Sequence, residues 1–261
     1  MSEITGAVGL DAAASSGVRT VRSVSLIGLT AAALLMGVLS WYLLVRLDNF
    51  FPPQPIGTEM ENRIRADAHD EIAWAWERKL RWDNYWHNAC LSIGAMGVCL
   101  GVALGAVSGY AGGGVVRGLV LGLILGAAGG VLAGLVSSKV AIETDSNGAL
   151  DSNNRVYDPI LRSVMIHSGG FAALGLLSGL LVALAARRPR SLPMLLISGV
   201  TAGVLAAVFY ELVGATAFNM YRTDLPIPEG NLNKLAFVQM LGLVMSVALW
   251  RAATLPDSTG K

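Results

Sequence analysis

The sequence predicts an all-α fold, a polytopic membrane bundle of six transmembrane helices. The composition is the first reason: 54% of the residues are hydrophobic, 14% are charged and the mean hydropathy is +0.57, whereas about 25% of the residues of a soluble domain are charged. The second reason is that six apolar windows can each cross a hydrocarbon core, which takes about 20 helical residues. They lie near residues 24–45, 89–110, 115–137, 163–185, 192–214 and 235–252. The third reason is a regular series of glycines inside the most apolar windows.

These windows also give the domain organisation. A tail at 1–23 precedes the first membrane helix at 24–45, and a connection at 46–88 leads to the other five helices at 89–252 and a tail at 253–261. The first window is too long for a cleaved signal peptide and no small-residue cleavage site follows it, so we expect a retained helix. The prolines of NFFPPQPIG, which follow this window, prevent the helix from continuing.

The connection contains an amphipathic, tryptophan-rich segment at residues 58–86. Oppositely charged residues stand four apart in it, as in Glu59 with Arg63 and Glu77 with Arg81, which is typical of a solvated helix. Its tryptophans suit the boundary between lipid and water. We therefore expect a helix that lies on the outer surface and then turns into the second membrane helix. It would act as an interfacial anchor or, alternatively, as a lid.

Arginine sets the expected orientation. The two tails and the short turns after the second and fourth windows carry 8 basic and 3 acidic residues, whereas acidic residues outnumber basic ones in the three long connections. Basic short loops stay in the cytoplasm. We therefore predict that both termini are cytoplasmic and that the protein lies in a cell membrane, the inner or plasma membrane.

Glycine recurs at every fourth residue in the second and third windows. Small residues at this spacing allow two membrane helices to approach closely, and such contact replaces the hydrophobic drive that lipid does not provide. Because only a short turn joins the two windows, we predict a glycine-zipper hairpin at the centre of the bundle. The residues that we assign to helix packing are Gly97, Gly101, Gly105, Gly109, Gly118, Gly122, Gly126, Gly130, Gly134, Gly199 and Gly203. The alternative is that these glycines line a pore.

An internal repeat is a further hypothesis. GAAGGVLAG at 126–134 resembles GVTAGVLAA at 199–207, and the windows before them begin with WHNACLSIG and IHSGGFAALG, each of which opens near a histidine. Both pairs run in the same direction, so windows two and three would form a parallel repeat with windows four and five.

Polar residues inside a membrane are functional candidates because each is costly there. The candidate polar site consists of His87, His167, Glu211, Gln239 and Arg46, which all fall toward the outer ends of their helices. One reading is an interfacial hydrogen-bond layer in which Glu211 pairs with Arg46. A second is a proton- or cation-responsive site. A third is a haem or metal held by His87 and His167, although we predict no cofactor.

The remaining features narrow the function by class. The net charge of +1 gives no reason to expect a nucleic-acid partner, and Cys90 and Cys99 lie in one window, so they suggest no disulfide framework. We find no sequence template for a hydrolase, a metalloprotease or a phosphate-binding loop, which disfavours an enzyme. The favoured function is a structural or assembly subunit that contacts the lipid bilayer and associates with a second copy or another membrane protein through its glycine faces. A small-solute or ion transporter or channel is the alternative.

Overall fold

A computed structural model describes residues 25–47, 50–51, 57–67, 71–146, 159–217 and 225–254, and every regular element among them is helical. The predicted tails, up to residue 23 and beyond residue 254, lie outside these ranges. The helices are α1 (Leu26–Leu47), α2 (Thr58–Ala66), α3 (Glu71–Ala111), α4 (Val115–Ser146), α5 (Pro159–Ala185), α6 (Leu192–Ala217) and α7 (Asn231–Thr254). Within the described residues, six of them, all but α2, are long and apolar enough to cross a membrane. The predicted fold class is confirmed.

The six long helices form three central and three peripheral elements. Helices α3, α5 and α7 contact one another at the centre, and each of α1, α4 and α6 packs between two of them. Because consecutive spans alternate in direction, the three central helices run parallel to one another and the three peripheral ones run the opposite way. The predicted glycine hairpin is therefore only half central, since α3 lies inside and α4 lies at the rim.

The bundle has two different ends. The turn end holds the short α3–α4 turn at Gly112–Gly114 and the α5–α6 turn, which contains a 3₁₀ helix at Pro189–Ser191. Gly113 has a φ of +74°, a conformation that glycine adopts without strain and that reverses the chain here. The loop end holds the three longer connections. His167 and Glu211 lie toward this end.

The expected turn between the tryptophan-rich segment and the second membrane helix is wrong. Helix α3 runs without a break for 41 residues, or about 60 Å at a rise of about 1.5 Å per residue. The break in the segment comes earlier, where α2 ends at Asp67 in an extended conformation. No glycine or proline occurs in α3 before Gly94, so nothing interrupts the helical hydrogen bonds where membrane and connection meet.

Helices α3 and α4 approach to backbone contact. A Cβ atom on Gly97, Gly101 or Gly105 would overlap a backbone carbonyl oxygen of α4, and the facing residues are Gly126, Gly122 and Gly118. The same Cβ on Gly97 would also lie 2.8 Å from the Cα atom of Gly130. No side chain fits between the two helices at these levels.

Helices α5 and α6 form a second hairpin of this kind. Gly175 and Gly199 face each other so closely that a Cβ on either would overlap the carbonyl oxygen of the other, and Gly203 stands in the same way against Phe171. The facing glycines therefore fix the relative height of α5 and α6.

Helices α7 and α1 form the third antiparallel pair, with larger side chains between them. Trp41 donates its indole N–H to the carbonyl oxygen of Asn231 at 2.7 Å, and Gln239 donates to the carbonyl oxygen of Leu34 at 3.2 Å. Gly242 lies against Ala33. The first and last spans of the chain thus close the ring of helices.

A single methyl group tests the backbone contact of the first hairpin. Gly101→Ala should lower the free energy of unfolding by about 1 to 3 kcal/mol, since the new Cβ would meet the backbone of Gly122, which cannot give way as a side chain can. The matched control is Gly94→Ala in the same helix, where the Cβ would meet only a methyl group of Val131 at 3.4 Å. The measurement is reversible unfolding in detergent. Equal stability of the two variants would contradict a packing role for these glycines.

Candidate functional site

The structure brings two of the five candidate polar residues into direct contact. Nδ1 of His167 lies 2.6 Å from Oε1 of Glu211, which joins α5 to α6. The two side chains are only 1% and 3% exposed. The proposed pairing of Glu211 with Arg46 is replaced by this contact, and the described contact of Arg46 is a cation–π interaction with Tyr42, 5.5 Å from the ring centroid.

The helical spacing of buried residues places His167 and Glu211 on the inward faces of their helices. On α5, Ser163, His167, Gly170 and Leu174 are buried at intervals of three or four residues, which defines one face of a helix. On α6, the buried face passes through Gly203, Ala207 and Glu211 in the same way. The two polar residues therefore lie on the faces that the glycine contacts press together.

Aromatic rings surround the imidazole of His167. The ring centroids of Tyr210 and Phe237 lie 5.3 Å and 5.2 Å from it, both edge-on, and that of Phe171 lies 6.1 Å away. These three rings are fully or almost fully buried. They come from α6, α7 and α5, so the site lies where three helices meet and side chains fill the space around it.

The connection between α6 and α7 covers the pair from the loop end. Nε2 of His167 lies 3.0 Å from the carbonyl oxygen of Leu225. The next three residues, Pro226, Ile227 and Pro228, are buried. We name Leu225–Pro228 the cover segment. Because a carbonyl oxygen only accepts hydrogen bonds, Nε2 must carry a hydrogen and donate it.

A second hydrogen bond adjoins the pair. The hydroxyl of Tyr210 donates to Oδ1 of Asn233 on α7 at 2.7 Å, in a fully buried position. The side-chain amide nitrogen of Asn233 has no hydrogen-bond partner among the residues that the structure describes. The adjacent Lys234 is also buried. The polar site thus extends from α5 across α6 to the first turn of α7.

Sequence reasoning missed Tyr210, Asn233 and the two phenylalanines. A usable signal was present on α7, because Asn233, Phe237 and Leu241 stand four residues apart and lie on one buried face. An asparagine in line with core residues is a candidate for a buried hydrogen bond. The contribution of Leu225 has no signal of this kind, since it uses a backbone carbonyl group.

His87 belongs to a different cluster. Its Nδ1 donates to the carbonyl oxygen of Asp83 one turn earlier, and its ring lies 3.8 Å from that of Trp86 and 5.4 Å from that of Phe51. Asn88 binds the backbone of Phe51. Its side-chain amide accepts from the N–H of Phe51 at 2.9 Å and donates to the carbonyl oxygen of Phe51 at 2.8 Å. This cluster fastens the chain that follows α1 to α3.

Gln239 also lies apart from the pair. Besides its bond to Leu34, it packs against Gly37 of α1, and its Oε1 atom is buried with no hydrogen-bond partner in the described part of the chain. Its surroundings are those of a contact between two helices.

The facing glycines show how the two hairpins correspond. Gly97 of α3 faces Gly126 of α4, and Gly175 of α5 faces Gly199 of α6. Ala89 and His167 each stand eight residues before the first glycine of their pair. Ser138 and Glu211 each stand twelve residues after the second glycine. His87 falls two residues earlier than the position that matches His167, so it projects from another side of its helix. The proposed repeat thus places small side chains in the first hairpin where the second carries the ionisable pair.

The haem or metal hypothesis needs a free lone pair on a nitrogen of each histidine. In the structure, both ring nitrogens of His167 and one of His87 already face hydrogen-bond partners. Among the described residues, no group of three or more His, Cys, Asp and Glu side chains lies together in a way that could hold a metal ion. The described geometry therefore favours a hydrogen-bonded pair.

Removing one partner at a time tests the pair. His167→Ala leaves the buried carboxylate of Glu211 without its partner and should lower the free energy of unfolding by about 3 to 5 kcal/mol. Glu211→Gln should lower it by about 1 kcal/mol, because an amide N–H can donate to Nδ1 while Nε2 still donates to Leu225. Unfolding in detergent measures both variants. Losses of equal size would contradict the proposed contact.

No protein-family model matches this chain, and no curated protein or solved structure matches it either. Its class follows from the described helices: the chain is a multi-pass membrane protein whose spans contact the lipid bilayer.

Proposed function

We propose that the chain is a non-enzymatic structural or assembly subunit of a cell membrane, the inner or plasma membrane. The enclosed state of the His167–Glu211 pair is the observation that supports this role. The pair is almost fully buried, and three aromatic rings and the cover segment occupy the space around it. A site that binds a substrate is normally a cleft or cavity with access from outside. A closed pair instead links α5 firmly to α6.

The peripheral helices α1, α4 and α6 provide the surface for contact with a partner. All eleven glycines that we assigned to helix packing are buried within the chain, so they offer no exposed glycine face. The exposed surface of the peripheral helices is apolar and branched, as at Leu35 on α1, Leu123 and Ile124 on α4, and Ile197 on α6. Such faces suit both lipid and another membrane helix.

The arginines in and beside the short turns and at the end of α7 support the proposed orientation. Arg117, Arg187, Arg188, Arg190 and Arg251 all stand at the turn end of the bundle, at or next to the ends of the spans. Basic residues in short loops stay in the cytoplasm. We propose that the turn end, and with it both termini, faces the cytoplasm.

An assembly role predicts that the chain has a protein neighbour in its native membrane. Extraction with the surrounding lipid by an amphipathic copolymer, followed by native mass spectrometry, should give particles heavier than one 27.3 kDa chain plus lipid. A Leu123→Trp, Ile124→Trp double variant on the rim should shift the mass toward single chains if α4 forms the contact, without a change in thermal stability. Gly122→Leu, on the inward face of the same helix, should instead lower stability. Single chains in every wild-type preparation would contradict the assembly role.

Transport of a small solute or ion is the second candidate function. The buried imidazole–carboxylate pair favours it, because an ionisable residue inside a membrane marks proton relays and ion pathways in transporters. In this case the cover segment would have to open during each transport cycle, since it contacts His167 directly.

Proton-coupled transport predicts a specific effect of removing the carboxylate. Glu211→Gln should abolish pH-dependent flux in liposomes, because an amide, unlike a carboxylate, cannot take up and release a proton. The matched control is Glu229→Gln, which changes an exposed carboxylate next to the cover segment and should leave the flux unaltered. If the Glu211→Gln variant still shows pH-dependent flux, this residue has no role in transport.

A further inference from the structure

We propose that His167 and Glu211 form a closed proton-binding site, in which one proton is shared between Nδ1 and Oε1 and the pair is electrically neutral. The ligand of this site is the proton itself. The inference goes beyond the assembly role and does not depend on it, because it follows from the hydrogen bonds of the pair alone.

The first step concerns the far nitrogen of the imidazole. Nε2 faces the carbonyl oxygen of Leu225 at 3.0 Å, and a carbonyl oxygen has lone pairs but no hydrogen. A lone pair on Nε2 would therefore point at another lone pair in a buried place. Nε2 must carry a hydrogen, which leaves Nδ1 as the only ring nitrogen whose protonation can change.

The second step concerns the contact between the two side chains. Nδ1 and Oε1 are 2.6 Å apart, the short distance of a charge-assisted hydrogen bond. With no proton between them, two lone pairs would face each other at this distance, and two protons would not fit. The geometry therefore holds one proton in this contact.

The third step is that the position of this proton leaves the total charge unchanged. On Nδ1 it makes an imidazolium beside a carboxylate, and on Oε1 it makes a neutral imidazole beside a carboxylic acid. Both forms have a net charge of zero. Loss of the proton would give the pair a charge of −1, and gain of a second one would give +1, and an uncompensated charge in a low-dielectric interior is strongly disfavoured.

The hydrogen-bonding side chains described next to the pair are neutral. From α6 comes the Tyr210 hydroxyl, which donates to the neutral Asn233 side chain of α7. From α4, the hydroxyl of Ser137 lies against Gly170, one turn along α5 from His167. Lys234 is the buried cation next in sequence to Asn233. On α3, His87 lies in the separate cluster with Trp86, and its Nδ1 donates to the backbone carbonyl oxygen of Asp83.

The cover segment controls the access of water to this proton. The carbonyl oxygen of Leu225 accepts from the imidazole, and the next three residues of the segment are buried over the pair. Exchange with solvent therefore requires the segment to move away from His167. While it stays in place, the proton is retained.

Proton NMR on protein with ¹⁵N-labelled histidine, reconstituted in lipid nanodiscs, tests the proposal. The contact between Nδ1 and Oε1 should give a strongly deshielded proton resonance, as a short charge-assisted hydrogen bond does. His167→Gln identifies this resonance by its loss, or, should that variant not fold, Glu211→Gln does so. A wild-type spectrum without such a resonance would overturn the proposal, whatever the assembly state of the protein.

Glu211→Gln provides the matched control because it keeps the shape of the side chain and removes the shared proton. Its amide N–H donates an ordinary hydrogen bond to Nδ1, so the strongly deshielded resonance should disappear while Nε2 remains an N–H group bonded to Leu225. Survival of that resonance in this variant would show that it does not come from the contact with Glu211 and would also overturn the proposal.

Discussion

Backbone contact at glycine is the constraint on which this bundle depends. Lipid tails are as apolar as the helix surfaces, so helices gain little by hiding leucine from them, and close van der Waals contact has to hold the spans together. In α3 and α4, and again in α5 and α6, glycines bring the two backbones into contact. This contact fixes the height and rotation of each helix in its hairpin, and thereby decides which residues face the centre.

The position of the polar pair is a consequence of this register. Glu211 stands in line with Gly203 on α6, and His167 stands one turn before Phe171, which faces that glycine. The glycines therefore bring an imidazole and a carboxylate to one height on two facing helices. Once there, the two groups satisfy each other, since a buried ionisable group without a partner would destabilise the fold. The hairpin of α3 and α4 uses the same backbone contact with Ala89 and Ser138 at the matching positions, so the packing itself does not require an ionisable pair.

The arrangement of central and peripheral helices separates two kinds of surface. The buried polar groups lie where central and peripheral helices meet: His167 and Asn233 belong to the central helices, whereas Glu211 belongs to α6. The outward surfaces of α1, α4 and α6 are apolar, as at Leu123 and Ile197. The buried ionisable pair thus lies at the loop end of the bundle, where α5 and α6 meet beneath the cover segment.

The sequence by itself determined the class of the protein and most of its elements. Length, hydropathy and the spacing of glycines are properties of local segments, so the six spans and the close approach at Gly101 or Gly122 could be predicted from them. His167 and Glu211 could be recognised as costly residues inside spans, because cost depends on residue type and depth. Their pairing could not, since it depends on which faces of α5 and α6 meet. The same holds for the separation of His87 and Arg46 from the site and for the central position of α3. Tertiary structure alone decided that the carbonyl oxygen of Leu225 accepts the hydrogen bond of His167. Every residue has such a carbonyl group, and only the path of the chain brings this one to the imidazole.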